Sequence, residues 1–175
     1  MQPAQPVELC SGLHLAGTAM STESHRSLIE HFYAAFARRD GAAMAACYTP
    51  DAQFRDPVFD LRGERIGAMW RMLCERGENL RVAASGIETD TDGGRAHWQA
   101  WYTFRTTGRY VHNIIDAHFR FRAGRIAEHI DDFSFWRWSR QALGPVGLVL
   151  GWMPVVRAKV RREADAALNH WIATR

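Results

Sequence analysis

The sequence has few cysteines, and none is spaced for a disulfide framework or a zinc site. Cys10, Cys47 and Cys74 are odd in number, lie far apart and form no CxxC pair. Such thiols are typical of proteins from a reducing compartment, so we expect a cytoplasmic protein. The eight histidines form no HExxH motif or other short ligand spacing, so neither a metal site nor a cofactor is predicted.

Motifs of several common enzyme classes are also missing. The chain has no P-loop, GxGxxG or GxSxG sequence, and no serine or cysteine has the flanking residues of a nucleophile. The first twenty residues lack the basic start and long apolar run of a signal peptide. We interpret residues 1–21 as a flexible tail, with Met20 as an alternative start.

A large charge excess is missing as well, which argues against a nucleic-acid partner. The formal net charge is +3, from 22 basic and 19 acidic residues, and four of the basic residues fall in the short segment 157–162. Aromatic residues, in contrast, are abundant, with 9 Phe, 7 Trp and 4 Tyr. In a chain of 175 residues they predict one folded domain with a large core or an apolar cavity.

Periodicity predicts helices first and strands later. Apolar residues recur every three or four positions after residue 22, and Asp40 and Gly63 precede two further helical segments. Alternation with a period of two begins at residue 80. The predicted helices cover 22–39, 42–48 and 64–76, and the predicted strands cover 52–56, 80–89, 95–106, 109–122 and 125–135. This order favours an α+β fold, with three helices packed on a curved antiparallel sheet.

The C-terminal region differs in kind from what precedes it. We divide the chain into the tail, a domain over 22–138 and an apolar and basic helical extension over 139–175. The apolar part, 143–156, is shorter than the ~20 residues that span a bilayer. We expect the extension to pack on the domain or on a partner, and contact of 143–171 with a membrane surface is the alternative.

A carboxylate stands at the abrupt end of an apolar strand in the stretch FRDPVF, residues 54–59. Pro57 has no amide hydrogen to donate to a sheet, so the strand should stop or kink there. Asp56 is then either a buried base or a turn residue that faces water.

Strand alternation sorts the polar residues of 110–121 by face. Asn113 belongs to the apolar row, where an amide needs a partner or a wet cavity. His112, Asp116 and His118 belong to the opposite row, which we expect to face solvent or a subunit contact.

The same alternation places two ionisable groups on an inward row of 125–135. His129 and Asp131 share this row with Phe133 and Phe135. A His–Asp pair in an apolar cleft is an arrangement that tunes a base near neutral pH. Pairing with arginines near an open end is the alternative.

Three stretches, 32–59, 62–70 and 116–133, carry a family resemblance. On the basis of these stretches, residues 22–138 resemble the nuclear transport factor 2-like superfamily, which includes ketosteroid isomerases and SnoaL-like polyketide cyclases. The resemblance implies a deep apolar pocket between the helices and the concave sheet, and often a homodimer. It implies no single reaction, because the fold hosts isomerases, cyclases, dehydratases, hydrolases and non-catalytic members.

The resemblance also implies roles for individual residues. Asp56 matches the general base of the isomerases. Phe32 stands where those enzymes have an oxyanion-hole tyrosine, with Tyr33 one position away. Ala117 stands where they have a protonated aspartate, with Asp116 on the opposite face. Each such donor is typically worth ~3 kcal/mol of transition-state stabilisation, so we do not expect steroid isomerase activity.

These observations lead to one main hypothesis. The chain performs metal-free general acid/base chemistry of the isomerase, cyclase, dehydratase or hydrolase type on a small apolar carbonyl or epoxide-like molecule. Asp56 is the expected base, and His129 or Asp131 the acid or orienting group. The expected substrate contacts are Phe32, Tyr33, Trp70, Trp98, Phe104 and Asn113. A non-catalytic module of the same fold, for ligand binding or dimerisation, is the alternative.

Overall fold

The structure is a computed structural model that describes residues 22–77 and 79–175. The tail predicted over 1–21, with Cys10 and Met20, lies outside the described residues. The elements in chain order are α1 (Thr22–Ala37), α2 (Gly41–Ala46), β1 (Tyr48–Arg55), β2 (Asp60–Arg62), α3 (Glu64–Arg76), β3 (Arg81–Thr89), β4 (Gly93–Phe104), β5 (Arg109–Arg122), β6 (Arg125–Asp132), α4 (Phe135–Ala142), α5 (Pro145–Leu150) and α6 (Pro154–Ala173).

The strands form one open, curved sheet in the order β2-β1-β6-β5-β4-β3. Strands β3 to β6 are joined by successive hairpins and pair antiparallel, as predicted. Ala123 and Gly124 both have positive φ in the turn between β5 and β6, which is the conformation that two-residue hairpins favour. Strand β1 pairs parallel with β6, so the first strand lies beside the last. The α+β class and the C-terminal helix are confirmed.

Several boundaries differ from the predicted ones, and each has a local cause. Strand β1 begins at Tyr48 rather than at residue 52, with a register irregularity between Tyr48 and Gln53 where Pro50 interrupts regular pairing. The short β2 was not predicted. Strand β6 ends at Asp132 because Ser134 caps α4 by accepting a hydrogen bond from the Arg137 amide at 3.2 Å. Phe135 is therefore buried by a helix and not by the strand.

The three N-terminal helices cover the inner face of the sheet. Asp40 caps α2 as expected, since its carboxylate accepts a hydrogen bond from the Ala43 amide at 2.9 Å. Helix α1 crosses β3 and β4, and α3 lies against β1 and β2. The fully buried side chains between the helices and the sheet include Ile29, Phe32, Phe54, Ile66, Met69, Ile115 and Ile126. His112, Asp116 and His118 lie on the other face, and the last two are exposed as predicted.

Helix α6 packs back onto α3. Arg65 donates hydrogen bonds to Asp165 and Asn169, and the Trp171 indole donates one to Glu75 at 2.9 Å. Leu168 is 0% exposed and belongs to the main core. No helix in the described part of the chain is long and apolar enough to cross a membrane.

The burial of Leu168 predicts that the extension contributes to the stability of the domain. Leu168→Ala should lower the free energy of unfolding by about 2–4 kcal/mol, because it leaves a cavity in a packed core. The same substitution at Leu148, which is 53% exposed, should cost less than about 0.5 kcal/mol. Urea denaturation of both variants measures the difference, and equal midpoints would show that α6 is not part of the core.

Candidate functional site

Asp56 lies directly after β1, in a turn made by its own side chain. Its Oδ1 accepts hydrogen bonds from the amides of Val58 at 2.6 Å and Phe59 at 2.5 Å, and its amide donates to the Phe59 carbonyl at 2.9 Å. The carboxyl is half-buried. Asp56 is thus a turn residue and a partly buried carboxyl at once, and its role in chemistry stays a prediction.

The surroundings of Asp56 raise its pKa to about 7. Burial is the main cause, because a desolvated carboxyl disfavours its charged form. The amides of Phe59 and Val58 act in the opposite direction, since they stabilise the carboxylate. The nearby charge of Asp131 raises the pKa further, and that of Arg161 lowers it. Asp56 can therefore change its protonation state near neutral pH.

Helix α6 reaches the same turn through Arg161. The guanidinium Nε donates to the Pro57 carbonyl at 2.9 Å, and a terminal nitrogen donates to the Asp56 carbonyl at 3.3 Å. The extension therefore contacts the backbone that carries the candidate base.

A chain of buried hydrogen bonds runs from α3 to β6. The Trp70 indole donates to the Tyr48 hydroxyl at 3.0 Å, and this hydroxyl lies 2.6 Å from His129 Nδ1. Because an indole N–H can only donate, the hydrogen of Tyr48 is free to point at Nδ1. His129 Nε2 then carries the proton and donates to Asp131 Oδ1 at 3.0 Å. In this neutral tautomer of His129 every bond has one donor and one acceptor.

Asp131 receives a second bond from the opposite side of the core. The Trp98 indole on β4 donates to Asp131 Oδ1 at 3.1 Å. His129 and Asp131 are only 0% and 3% exposed, so the predicted inward orientation of this row is confirmed. The expected alternative, pairing with arginines at an open end, is wrong, since the partners are aromatic and imidazole N–H groups. In the sheet, Asp131 pairs with Ala117 on β5.

Tyr33 is the one residue in the described part of the chain with a buried side-chain polar atom that has no hydrogen-bond partner. It lies on α1 and is 5% exposed. Burial raises the pKa of its hydroxyl well above the usual value, and the charge of Asp131 adds to this effect. A buried donor without a partner is rare in folded proteins, so the Tyr33 hydroxyl is an exception that needs a physical explanation.

The remaining predicted contact residues divide into two groups. Phe32 and Trp70 are core residues, and both rings pack against the His129 ring, with centroids 5.6 and 6.1 Å from it. Phe104 lies further along the sheet against Trp138, at 5.4 Å. Asn113 is half-buried on the inner face of β5. The structure thus brings Tyr33, Trp70 and Trp98 to His129 and Asp131, and leaves Phe104 outside this group.

Three residues of the site were missed by sequence reasoning. Tyr48 was assigned to the end of a helix, although its position before an irregular strand places it in the core. Tyr102 belongs to β4, where its hydroxyl accepts a bond from the Trp138 indole at 2.8 Å. Burial raises the pKa of Tyr102 to about 12, with Asp56 contributing. Arg161 had no sequence signal other than its basic neighbours.

Two surface grooves in the described part of the chain lie away from this group. The larger, of about 980 Å³, lies at the turn between β3 and β4 and is also lined by residues of β5 and β6. The smaller, of about 370 Å³, is lined by residues of β1, β5 and β6. Neither is lined by Asp56, His129 or Asp131.

The hydrogen-bond chain predicts a cost for losing one hydroxyl. Tyr48→Phe should lower the free energy of unfolding by about 2–3 kcal/mol, because it leaves the Trp70 indole and His129 Nδ1 buried without partners. Tyr110→Phe is the matched control, since Tyr110 is 62% exposed, and should change stability by less than about 0.5 kcal/mol. Thermal and urea unfolding measure both, and an unchanged Tyr48→Phe variant would contradict the hydrogen-bond chain.

Comparison with solved structures supports the fold. A LEH-like epoxide hydrolase of M. tuberculosis has a TM-score of 0.57 and 19% identity, over 74% of this chain and 97% of that chain. A protein from Catenulispora acidiphila with a ketosteroid isomerase-like fold, in complex with trimethylamine, has a TM-score of 0.60 and 16% identity, over 73% of this chain and 97% of that chain. An NTF2-like protein of unknown function from Burkholderia pseudomallei has a TM-score of 0.60 and 20% identity, over 70% of this chain and 98% of that chain.

These identities are too low to indicate more than a shared fold. No curated protein matches the sequence. The family model of the SnoaL-like domain, however, matches residues 29–129, which is more than half of the chain. This match covers the elements from α1 into β6, including Tyr33, Tyr48, Asp56 and His129. The chain therefore belongs to the SnoaL-like domain family, and its fold is similar to that of NTF2-like and ketosteroid isomerase-like proteins.

Proposed function

We propose that this protein performs general acid/base chemistry, without a metal ion, on a small apolar molecule with a carbonyl or epoxide group. The observation that carries the proposal is the position of Asp56. Its carboxyl has a pKa raised to about 7 and lies within electrostatic reach of a second, fully buried carboxyl, Asp131. A base is most effective when its pKa lies near the working pH.

The two carboxyls have different surroundings, which suggests different roles. Asp56 is half-buried and has no side-chain donor among its described hydrogen bonds, so it is the group that exchanges a proton with the substrate. Asp131 is held by Trp98 and His129 and acts as a fixed charge. Both nitrogens of His129 are already engaged, so we assign it to orienting Asp131 and not to proton transfer.

The Tyr33 hydroxyl is the proposed donor to the oxygen of the substrate. Abstraction of a proton beside a carbonyl, and opening of an epoxide, both place negative charge on an oxygen. A preorganised O–H donor that has no partner in the free protein stabilises that charge without first losing another bond.

Sheet register and helix position supply counterparts for the two isomerase groups that the sequence lacks. Asp131 pairs with Ala117, so a carboxyl stands on the neighbouring strand at the same level and on the same face. Tyr33 follows Phe32 on α1, and both side chains are buried. The site thus has a tyrosine and a carboxyl at shifted positions, but Asp131 accepts hydrogen bonds from Trp98 and His129, whereas the isomerase aspartate is protonated and donates one. This difference favours a different reaction or a different substrate.

We infer the range of substrates from the side chains around Tyr33 and Asp131 and from the proteins that share the fold. The groups around Tyr33 and Asp131 are aromatic, so the molecule should be apolar. One neighbour in fold is described as a LEH-like epoxide hydrolase, which is the reason for including epoxides beside carbonyl compounds.

A non-catalytic ligand-binding module is the second candidate. It is favoured by the dense aromatic packing around His129, where Phe32, Phe54 and Phe119 have ring centroids 4.3–5.6 Å from the imidazole. It is also favoured by the two grooves described above, neither of which reaches Asp56. In this case Asp56 binds a ligand or shapes the turn but moves no proton.

The first test is the exchange of a proton beside a carbonyl, which does not require the natural substrate. The protein should accelerate deuterium incorporation into apolar cyclic ketones in D₂O, measured by NMR. The rate should rise with pH up to about 7 and then level, because only the carboxylate form of Asp56 accepts a proton. Asp56→Asn should lower the rate by about 10²–10⁴-fold and keep the fold, since an amide of the same shape has no basic oxygen.

Asp60→Asn is the matched control, because Asp60 is exposed on the neighbouring strand. It should leave the exchange rate unchanged. Exchange that Asp56→Asn does not slow would exclude Asp56 as the base. Binding of the ketones without any exchange, in a panel that also includes epoxides, would favour the non-catalytic module.

Tyr33 gives a test that separates catalysis from stability. Tyr33→Phe removes a hydroxyl that has no partner, so the free energy of unfolding should stay the same or rise slightly. The exchange rate should fall by about 10²–10³-fold if the hydroxyl stabilises the developing oxyanion. A Tyr33→Phe variant with full activity would exclude Tyr33 as the donor.

A further inference from the structure

The exposed apolar side chains of the described residues are concentrated in one place. Large hydrophobic residues with more than a third of their surface exposed lie mostly on α5, the turn that follows it and the start of α6. We call this set the α5 patch: Val146, Leu148, Val149, Leu150, Trp152 and Val155. Such a concentration of exposed apolar side chains within ten residues indicates a contact site, because single exposed hydrophobic residues are usually scattered.

Two glycines, Gly147 and Gly151, pack closely against α4, and the α5 patch lies on the opposite, exposed side of α5. A Cβ built on Gly147 would lie 1.9 Å from the Ser139 carbonyl oxygen, and one on Gly151 would lie 2.0 Å from Ser139 Oγ. Only glycine permits this approach of α5 to α4. The side of α5 that faces the protein therefore has almost no side chains, and its apolar residues face away.

Two tryptophans stand at this surface in a fixed orientation. The Trp152 indole donates to the Val149 carbonyl at 2.9 Å, and the Trp136 indole donates to the Leu148 carbonyl at 3.2 Å. Trp152 is nevertheless 71% exposed. With the N–H groups bonded to the backbone, the rings are free to enter an apolar medium without losing a hydrogen bond.

The segment of the chain that carries the α5 patch has charge of one sign, although one of its basic residues, Arg161, donates to the turn at Asp56. Residues 133–162 contain six Lys and Arg residues and no Asp or Glu, although the whole chain has a net charge of only +3. Arg140 stacks on the Trp136 ring at 5.1 Å, beside the patch, and Arg157 on the Phe135 ring at 5.1 Å. The segment is thus an apolar surface with a basic margin.

We propose that the α5 patch docks onto an anionic lipid surface. Apolar residues with tryptophan enter the interfacial layer, and the basic residues bind the lipid headgroups. Helix α5 has six residues and is only about 9 Å long, so it lies in the interface. A second copy is a poorer occupant, because a symmetric dimer through this patch would bring two basic margins together.

Packing of α6 on the domain is compatible with this docking. The α6 residues that contact the domain, Leu168 and Arg161 among them, do not belong to the α5 patch. The extension therefore contacts the domain through α6 and presents α5 to the surroundings.

Cosedimentation of the full chain with lipid vesicles tests the proposal. At about 0.15 M salt the protein should pellet with phosphatidylcholine vesicles that contain about 30% phosphatidylserine, and at least about tenfold less with phosphatidylcholine alone. The double variant Leu148→Ser and Trp152→Ser should lose at least about tenfold in partition. Ile172→Ser removes an exposed apolar residue outside the patch and should bind as the unmodified chain does.

Circular dichroism melting curves of the variants establish that they are folded, as expected for exposed substitutions. Quenching of tryptophan fluorescence by brominated lipid should accompany binding and disappear in the double variant. Equal partition of the double variant and the unmodified chain would overturn the proposal. A second result would also overturn the proposal: light scattering shows that the unmodified chain is a dimer and that the double variant is not, and neither protein binds vesicles.

Discussion

The chain of buried hydrogen bonds between α3 and β6 depends on one buried carboxylate, Asp131. A charge in an apolar core is costly unless donors surround it, and Asp131 has the Trp98 indole on one side and His129 on the other. Through His129 it is also connected to Tyr48 and Trp70. Side chains from α3, β1, β4 and β6 thus belong to one chain of buried hydrogen bonds.

This dependence explains why the aromatic core is also polar. Three of its aromatic residues, Trp70, Trp98 and Tyr48, contribute a hydrogen bond to the chain that ends at Asp131. An apolar core of similar volume would be as stable or more so, since buried ionic groups seldom add stability. The stability of the fold alone therefore does not explain the network.

Much of the fold could be predicted because its signals are local. Helix α3 and strand β5 have the predicted bounds, since a strong period and clear turn residues define both. The inward row of His129 and Asp131 followed from alternation alone, although one premise was wrong: Phe135 belongs to a helix. The two short helices of 135–150 were not predicted, because Phe135 continued the alternation of the preceding strand and because Gly144, Pro145 and Gly147 interrupt the period of the second helix.

The site itself depends on distances in space that a sequence does not contain. The parallel pairing of β1 with β6 places Asp56 near Asp131, and the register of β5 with β6 places Asp131 opposite Ala117. Neither register is encoded by neighbouring residues. The contact of Arg161 with the turn at Asp56 is a further example, and residue types alone gave no indication of it.

That contact also determines when the site can be complete. Arg161 follows Asp56 by 105 residues, near the end of the chain. During synthesis the sheet and the first three helices emerge before α6, so most of the core can assemble while Leu168 and the guanidinium at the Asp56 turn are still absent. A chain that stopped before α6 could therefore contain every residue matched by the SnoaL-like family and still have an unfinished site.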